Sequence, residues 1–270
     1  MKWPEGHGEL RATRQPGQVN MNPLDATRGM MDGLGTEANV CVKCGSRSIG
    51  LCAPLDVAAL DDMSGESERL SLDPRDAIFH QGDAARYVYT LTEGMARMTR
   101  VLPDGRQSVI GFRFAGDLLG FTPGAEHAFG AEMLTRGTVC RLDRRRLEQL
   151  FRRYPVLERR FLDLCVKELA ASQDHILALG RFNAEERVAA FLVSLAEAQE
   201  RRGRPGPVFD LPATRADIGE FLGLTLETVS RAISAFRKRN WIRLHGHSGI
   251  ELTDRESLIG LGSGEGSCAA

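Results

Sequence analysis

The chain has 270 residues, 42% hydrophobic and 26% charged, which suits a globular protein of one large or two smaller domains and excludes wholesale disorder. No apolar run approaches the roughly 18 residues of a membrane span. The opening Met1-Lys2-Trp3-Pro4-Glu5-Gly6 lacks the apolar core of a signal peptide, so a cytoplasmic setting is expected. The net charge of −1 excludes a uniformly basic coat for nucleic acid but leaves room for a local basic patch.

Residues 1–40 are broken by proline and glycine, show no sustained period, and read as a mobile extension. A cysteine-rich loop, 41–52, follows. From about Ser71 to Arg141 the pattern is strand-like, with short runs at Tyr87–Leu91, Met95–Val101, Gln107–Phe112 and Thr138–Leu142. Leu102-Pro103-Asp104-Gly105 is a hairpin signal. Gly82, Gly94, Gly105 and Gly116 recur every 11 or 12 residues, which suits a rolled antiparallel sheet with one sharp corner per pass, placed at 53–143.

The period turns helical over 144–181. A short helix near Arg145–Arg152 stops before Pro155, and a longer one carries Leu157, Phe161, Leu164, Val166, Leu169, Ile176 and Leu179. The steps 157, 161, 164 and then 169, 172, 176, 179 form a narrow stripe, which predicts a two-helix seam and hence a homodimer; the alternative is a helix packed on its own sheet. Asn183-Ala184-Glu185-Glu186 opens another helix with an N-cap and first-turn acids, its body running from Val188 to Leu195. Residues 201–207 read as a loop and Phe209-Asp210-Leu211 as a short strand.

The region 182–255 carries the most specific motif. Thr214-Arg215-Ala216-Asp217 caps a short helix through Leu222, Gly223-Leu224-Thr225 forms a tight turn, and Thr225 caps a second helix from Leu226 to about Lys238. Val229, Ile233 and Phe236 share one face of that helix; Glu227, Arg231, Ser234 and Lys238 share another, bordered by Ser230. This is the layout of a helix-turn-helix, whose second helix offers its N-terminal polar side chains to the major groove. Arg can bridge guanine O6 and N7, Glu can accept from cytosine N4, and Ser can meet a base edge. Between Thr228 and Gly249 stand Arg231, Arg237, Lys238, Arg239 and Arg243 without one acid, the footprint that phosphate contact requires. Asn240–Leu244 and Gly249–Leu252 read as a two-stranded wing. Residues 256–270 read as a C-terminal tail.

Six cysteines are present: Cys41, Cys44, Cys52, Cys140, Cys165 and Cys268. A disulfide framework is not expected in the cytoplasm. Cys41-x2-Cys44 can chelate one centre. Zinc normally takes a second such pair, a redox CxxC leaves Cys52 idle, and an iron–sulfur cluster takes three nearby thiolates and a remote one. Cys140, at the end of a predicted strand, and Cys165, near the apolar stripe and suited to a small core position, are both candidates for the remote ligand.

The set Cys41, Cys44, Cys52 and Cys140, the stretch Asn183-Ala184-Glu185-Glu186-Arg187, and Leu224-Thr225-Leu226-Glu227-Thr228-Val229-Ser230-Arg231 resemble the Fnr branch of the Crp/Fnr transcription regulators. The likeness covers about Cys41 to Leu261; Gly82-Asp83, Gly94 and Gly116-Asp117 match the family's β-roll. It implies an α+β fold: an antiparallel, cyclic-nucleotide-binding-like β-roll, a long dimerisation helix and a C-terminal winged helix-turn-helix. It further implies a [4Fe–4S] oxygen sensor with Cys41, Cys44, Cys52 and Cys140 as ligands. Glu227, Ser230 and Arg231 would be the base contacts on TTGAT half-sites in an inverted repeat of double-stranded DNA. The cyclic-AMP-binding relatives carry an Arg-Ser pair where this chain has Gly130 and Ala131, and an Arg where it has Leu226, so no cyclic nucleotide is expected.

On this resemblance, the cluster forms under low oxygen, pins the loop to Cys140 and favours the dimer. The dimer in turn sets two recognition helices about one DNA turn, roughly 34 Å, apart. Glu168 and Asp174 are candidates for repulsion across the dimer axis, and the Asp104-Gly105 turn for contact with RNA polymerase. A different ligand remains an alternative: haem or nitric oxide in the roll, with His80, His127 or His175 as axial groups, or a structural zinc. No catalytic triad, phosphate-cradling glycine loop or His pair at helical spacing is present, and an enzyme is not expected.

Overall fold

A computed structural model describes residues 41–202 and 206–264. The predicted extension 1–40 and Cys268 lie outside the described residues. The first described part runs from a turn-rich loop into helix α1 (Val57–Glu66) and eight strands: β1 (Ser67–Leu72), β2 (Ala77–Phe79), β3 (Tyr87–Glu93), β4 (Met95–Val101), β5 (Gln107–Phe114), β6 (Leu118–Leu119), β7 (Gly130–Met133) and β8 (Gly137–Asp143). Three helices follow: α2 (Arg144–Arg153), α3 (Pro155–Arg181) and α4 (Ala184–Arg201). The C-terminal lobe adds β9 (Val208–Asp210), α5 (Arg215–Leu222), α6 (Leu226–Lys238), β10 (Ile242–His245), β11 (Gly249–Leu252) and α7 (Arg255–Gly262). No described helix is long and apolar enough to cross a membrane.

The eight strands form two antiparallel sheets, ordered β1-β8-β3-β6 and β2-β7-β4-β5. Phe79, Tyr89, Leu91, Met98, Leu119, Met133 and Val139 fill the space between them, so the expected roll is the observed one. The evenly spaced glycines are its corners: Gly82, Gly94, Gly105 and Gly116 all have φ between +84° and +97°, which a side chain rarely adopts. Two bulges bend the sheets. Thr92 is the extra residue of β3 against β8, and Ile110 that of β5 against β4. At the first of these, Gly137 lies so close that a Cβ would stand 2.2 Å from the Glu93 carbonyl oxygen.

Each sheet also covers something on its outer face. Val88 and Leu142 join Leu51 and Leu55 of the cysteine loop, Leu60 and Met63 of α1, Leu147 and Leu150 of α2, and Leu157 of α3 in a second core. Met95, Val109 and Phe112 join a third core, which belongs mainly to α4, α5, α6 and the small sheet β10-β11-β9. One side of the roll thus holds the cysteine loop and the other holds the C-terminal lobe.

Three expectations need correction. The stripe on α3 divides between two faces: Leu157 is fully buried, and Phe161 and Leu164 pack on the second core, so 157, 161 and 164 face inward. Val166, Leu169, Ile176 and Leu179 of the expected stripe are exposed, and Leu162 and Leu177, which it did not include, are exposed as well. The helix thus packs on its own roll along one side, the second of the two sequence readings, and leaves heptad-spaced apolar residues exposed along the other. Glu168 is exposed but paired with Arg113 of β5, so its charge is offset within its own chain rather than left to repel a partner. The tail expected from 256 opens as α7, capped by Asp254 and anchored by the fully buried Leu258; its apolar residues are too few to show a period.

Candidate functional site: a thiol cluster and a nucleic-acid interface

The cysteine loop folds through local turns. Arg47 donates to Cys44 O at 2.9 Å through its backbone, and Gly50 donates to Ser46 O at 2.8 Å. The Arg47 guanidinium then gathers the descending strand of the loop, donating to the carbonyls of Cys52 and Ala53 at 2.8 Å each and to that of Leu55. Asp56 caps α1 by accepting from Ala59 N at 2.8 Å. Helix α1 is held to α2 by ion pairs from Arg146 to Glu66 at 3.4 Å and Arg153 to Asp62 at 2.8 Å.

Cys140 reaches this layer from β8. There it pairs in register with Arg69 of β1 and Thr90 of β3. Strand alternation puts it on the same outer face as Leu142, while Val139 points into the roll. Cys41 and Cys52 pack against the core that contains Leu142. All four side chains are partly exposed.

The four sulfurs act on one another. Burial pushes the Cys52 thiol up to about 12, and its neighbours Cys140, Cys41 and Cys44 add to the shift. Burial likewise raises Cys140, with Cys41 and Cys44 contributing, and raises Cys41, with Cys44 contributing. Ser67 hydrogen-bonds Cys140, Ser64 hydrogen-bonds Cys41, and Ser46 Oγ lies 3.3 Å from Cys44 Sγ. The other candidate for the remote position does not join them. Cys165 is exposed on α3, not a core residue, and the ionisable neighbour acting on it is Glu168.

The donor set is therefore four thiols, three with a serine hydroxyl beside them. Among the described residues no three His, Cys, Asp or Glu side chains close on a point as the ligands of a single ion do. Four thiols, three from one loop and one from a strand, are donors of the type that zinc and iron–sulfur centres take.

The histidines considered as haem ligands are placed otherwise. His127 is 3% exposed and stacks on Phe79, ring centroids 4.1 Å apart. His175 stacks on Phe221 of α5 at 4.1 Å and an interplanar angle of 5°. His80 is exposed at a turn.

In the C-terminal lobe every boundary of the two-helix motif falls where capping chemistry puts it. Thr214 and Asp217 form a reciprocal capping box at the start of α5, and Gly223, at φ +64°, ends it. Gly219 lets α5 approach the turn: a Cβ there would lie 2.7 Å from Leu224 O. Thr225 caps α6 by accepting from Thr228 N at 3.2 Å. Val229 and Phe236 are fully buried, which aims Glu227 and Arg231 at solvent, with Ser230 half-buried beside them. Glu227's own backbone N–H, the Thr225 hydroxyl and then Arg231 hold its carboxyl below the usual range, so it is an ionised acceptor at neutral pH. Arg231 donates to Thr228 Oγ1 at 3.2 Å, which pre-orients it.

The wing is β10 and β11. Two of the five basic residues are already neutralised, Arg239 by Glu185 at 2.8 Å and Arg243 by Glu251 at 3.2 Å, while Arg231, Arg237 and Lys238 are exposed. Spacing did not single out Arg215 at the first position of α5. Burial lowers its pKa, and no charged neighbour counters that shift.

Two domain families match the chain. A cyclic nucleotide-binding domain covers residues 69–154 and a Crp-like helix-turn-helix domain covers residues 186–261. The transcriptional activatory protein AadR of Rhodopseudomonas palustris is 37% identical over 199 residues, covering 74% of this chain and 83% of that protein. The fumarate and nitrate reduction regulatory protein of Yersinia pestis is 34% identical, covering 82% and 90%. The solved structure of FixK2 from Bradyrhizobium japonicum superposes with a TM-score of 0.65 at 34% identity, covering 72% of this chain and 96% of that one. The roll, the capped two-helix motif and this level of identity place the chain in the Crp/Fnr family of transcription regulators.

Proposed function

We propose that the chain is an oxygen-responsive transcription regulator. Cys41, Cys44, Cys52 and Cys140 would hold a [4Fe–4S] cluster when oxygen is low, and the loaded chain would dimerise on DNA. One observation carries this reading: the loop bearing Cys41 and Cys52 packs on the outer face of the roll around Leu142, the face of β8 from which Cys140 projects. When bound, the cluster supplies an oxygen-labile link among four thiolates. A relative named for fumarate and nitrate reduction supports a role in anaerobic or microaerobic gene control.

Each part of the chain has a share in the mechanism. Cys41, Cys44 and Cys52 tie their loop to Cys140 on β8. Burial keeps three of these thiols protonated when empty, so loading releases protons. The exposed face of α3, from Leu162 to Ile176, is where the second copy packs. Pairing presents two α6 helices to successive major grooves of an inverted repeat, and the second contact gains from effective concentration.

Glu227, Ser230 and Arg231 read the bases of TTGAT-type half-sites. Arg215 fits a phosphate, which would repay the burial of its charge. The Asp104-Gly105 turn projects freely, with nothing within 4 Å of where a Gly105 Cβ would be, and is open to RNA polymerase. Gly130 and Ala131 on β7 offer neither cation nor hydroxyl to a cyclic phosphate.

The test is anaerobic purification followed by iron and sulfide analysis, an absorption spectrum, sedimentation, and binding to a TTGAT inverted repeat before and after air. A broad brown absorption, with dimer and DNA affinity both lost in air, is expected. Iron-free, colourless material that binds the repeat equally well in both conditions would overturn the reading.

A further inference from the structure

The cysteine loop touches the long helix at a specific point. Arg160 of α3 donates through Nε to Gly50 O at 3.2 Å and through Nη2 to Ile49 O. These carbonyls end the single helical turn closed by Gly50 N on Ser46 O. The last carbonyls of a helical turn lack partners within it, and an Arg side chain can satisfy them. Arg160 thus caps the turn lying between Cys44 and Cys52.

The turn itself has little slack. Gly50 is buried, and a Cβ there would lie 3.1 Å from Ser46 O. Ile49 presses on the Gly116 corner of the roll, where a Cβ would lie 2.9 Å from Ile49 Cγ1. Any shift of the turn is therefore felt by the guanidinium.

The helix is equally constrained on that side. Leu157 is fully buried, and the Phe161 ring sits 4.5 Å from Phe121 and 5.4 Å from Phe151. Two residues past Arg160, on the other side of the helix, the exposed apolar stripe begins at Leu162. Beside the core that Leu51 and Leu55 share with Leu157, Arg160 therefore makes a directional polar link between the loop that carries three of the thiols and the first turns of the helix that carries the exposed stripe.

We propose that Arg160 is the positioning residue through which the state of the cysteine loop sets the pairing competence of α3. The proposal rests on the function proposed above. When the loop is pinned, its Ile49 and Gly50 carbonyls hold Arg160, and α3 keeps the orientation in which Leu162, Val166 and Leu169 can meet a second copy. When the loop is released, Arg160 loses both acceptors and the first turns of α3 loosen.

The experiment uses the full chain, Arg160→Gln, Arg160→Lys and, as a control, Arg159→Gln at an exposed neighbour. Each is reconstituted with ferrous iron and sulfide without air. Arg160→Gln is expected to load iron and sulfide as the parent does, yet to lose roughly tenfold of the gain in dimer association that loading produces, the scale of a charged hydrogen bond. Arg160→Lys, which can reach one carbonyl, should restore part of that gain, and Arg159→Gln should behave as the parent.

In metal-free protein, Arg160→Gln should speed amide exchange both in the loop at 49–53 and in the first turns of α3. An unchanged dimerisation gain overturns the proposal, as does failure to load iron, or faster exchange in the loop alone. A parent that binds no iron overturns the oxygen-sensing reading instead. The exchange data then decide the coupling by themselves.

Discussion

Arg97 of β4 and Asp217 of α5 face each other across the junction of the roll and the C-terminal lobe, and the same carboxylate closes the α5 capping box through Thr214. The guanidinium also meets Glu132 of β7 at 3.1 Å. Val109 N donates to Glu220 at 3.1 Å, and Arg202 meets Asp117 at 2.7 Å and donates to Ala115 O at 2.9 Å, so polar links at several points span this junction. Asp217 is 5% exposed, and removing its cation strands a charge in a poorly solvated place. Arg97→Ala is expected to cost about 2–4 kcal/mol in urea denaturation. Burial would raise the Asp217 pKa, but bonds from Thr214 and Arg97 outweigh it and the net shift is downward. Stability from this carboxylate is thus complete above the ordinary acidic range, near 3.9, and disappears as pH falls through its lower folded value. The variant should show a smaller loss over that window.

The two stacked histidines carry the opposite kind of proton. Burial lowers His127, with Asp83 opposing and Arg144 assisting; burial also lowers His175, with the Phe221 carbonyl opposing and Arg187 assisting. Both are bases that the folded chain keeps neutral. Their stability is in place above the unfolded value, about 6.5, and is lost as pH falls from there through the lower folded values. The urea midpoint should fall between pH 7.5 and 5.5, and His175→Phe should flatten part of that slope.

Gly219 has no room for a side chain. Gly219→Ala should destabilise the C-terminal lobe by roughly 1–3 kcal/mol, because the Leu224 carbonyl must move and the turn with it. Thermal melting should report the loss, and specific DNA binding should fall with it.

The nucleic-acid contacts should separate by salt and by sequence. Arg231→Ala should cost about 1–3 kcal/mol on the preferred repeat and relax discrimination at one base pair. Arg215→Ala should weaken all sequences alike and reduce the slope of log affinity against log salt by about 1. Fluorescence anisotropy across a salt series distinguishes the two.

Leu169 is 60% exposed on α3. Leu169→Asp should leave the melting temperature of the chain little changed while preventing pairing of the loaded protein, read by sedimentation.

Local chemistry explains which of these features were legible in advance. Thr214, Thr225 and Asn183 cap their helices where polar residues precede an apolar period, and the glycine corners declare themselves by spacing. Helix α1 did not, since only Ala59, Leu60 and Met63 of its ten residues are buried and no stripe forms. The division of α3 into two faces was hidden for a different reason. Two apolar sets in succession at the same three- and four-residue steps read as one stripe, and only the roll behind the helix separates them. Arg97 and Arg160 bond a carboxylate and carbonyls brought near by tertiary folding, and no spacing along the chain encodes that. The pairing of Glu168 with Arg113 was invisible on the same grounds.

Gly137 determines how near β8 lies to β3, and Cys140 is three residues farther along the same strand. Any side chain at 137 would wedge the strands apart and carry the fourth sulfur with them. The place of that sulfur is therefore set by the spacing of two strands, whereas the other three sit where a run of turns outside the sheets puts them.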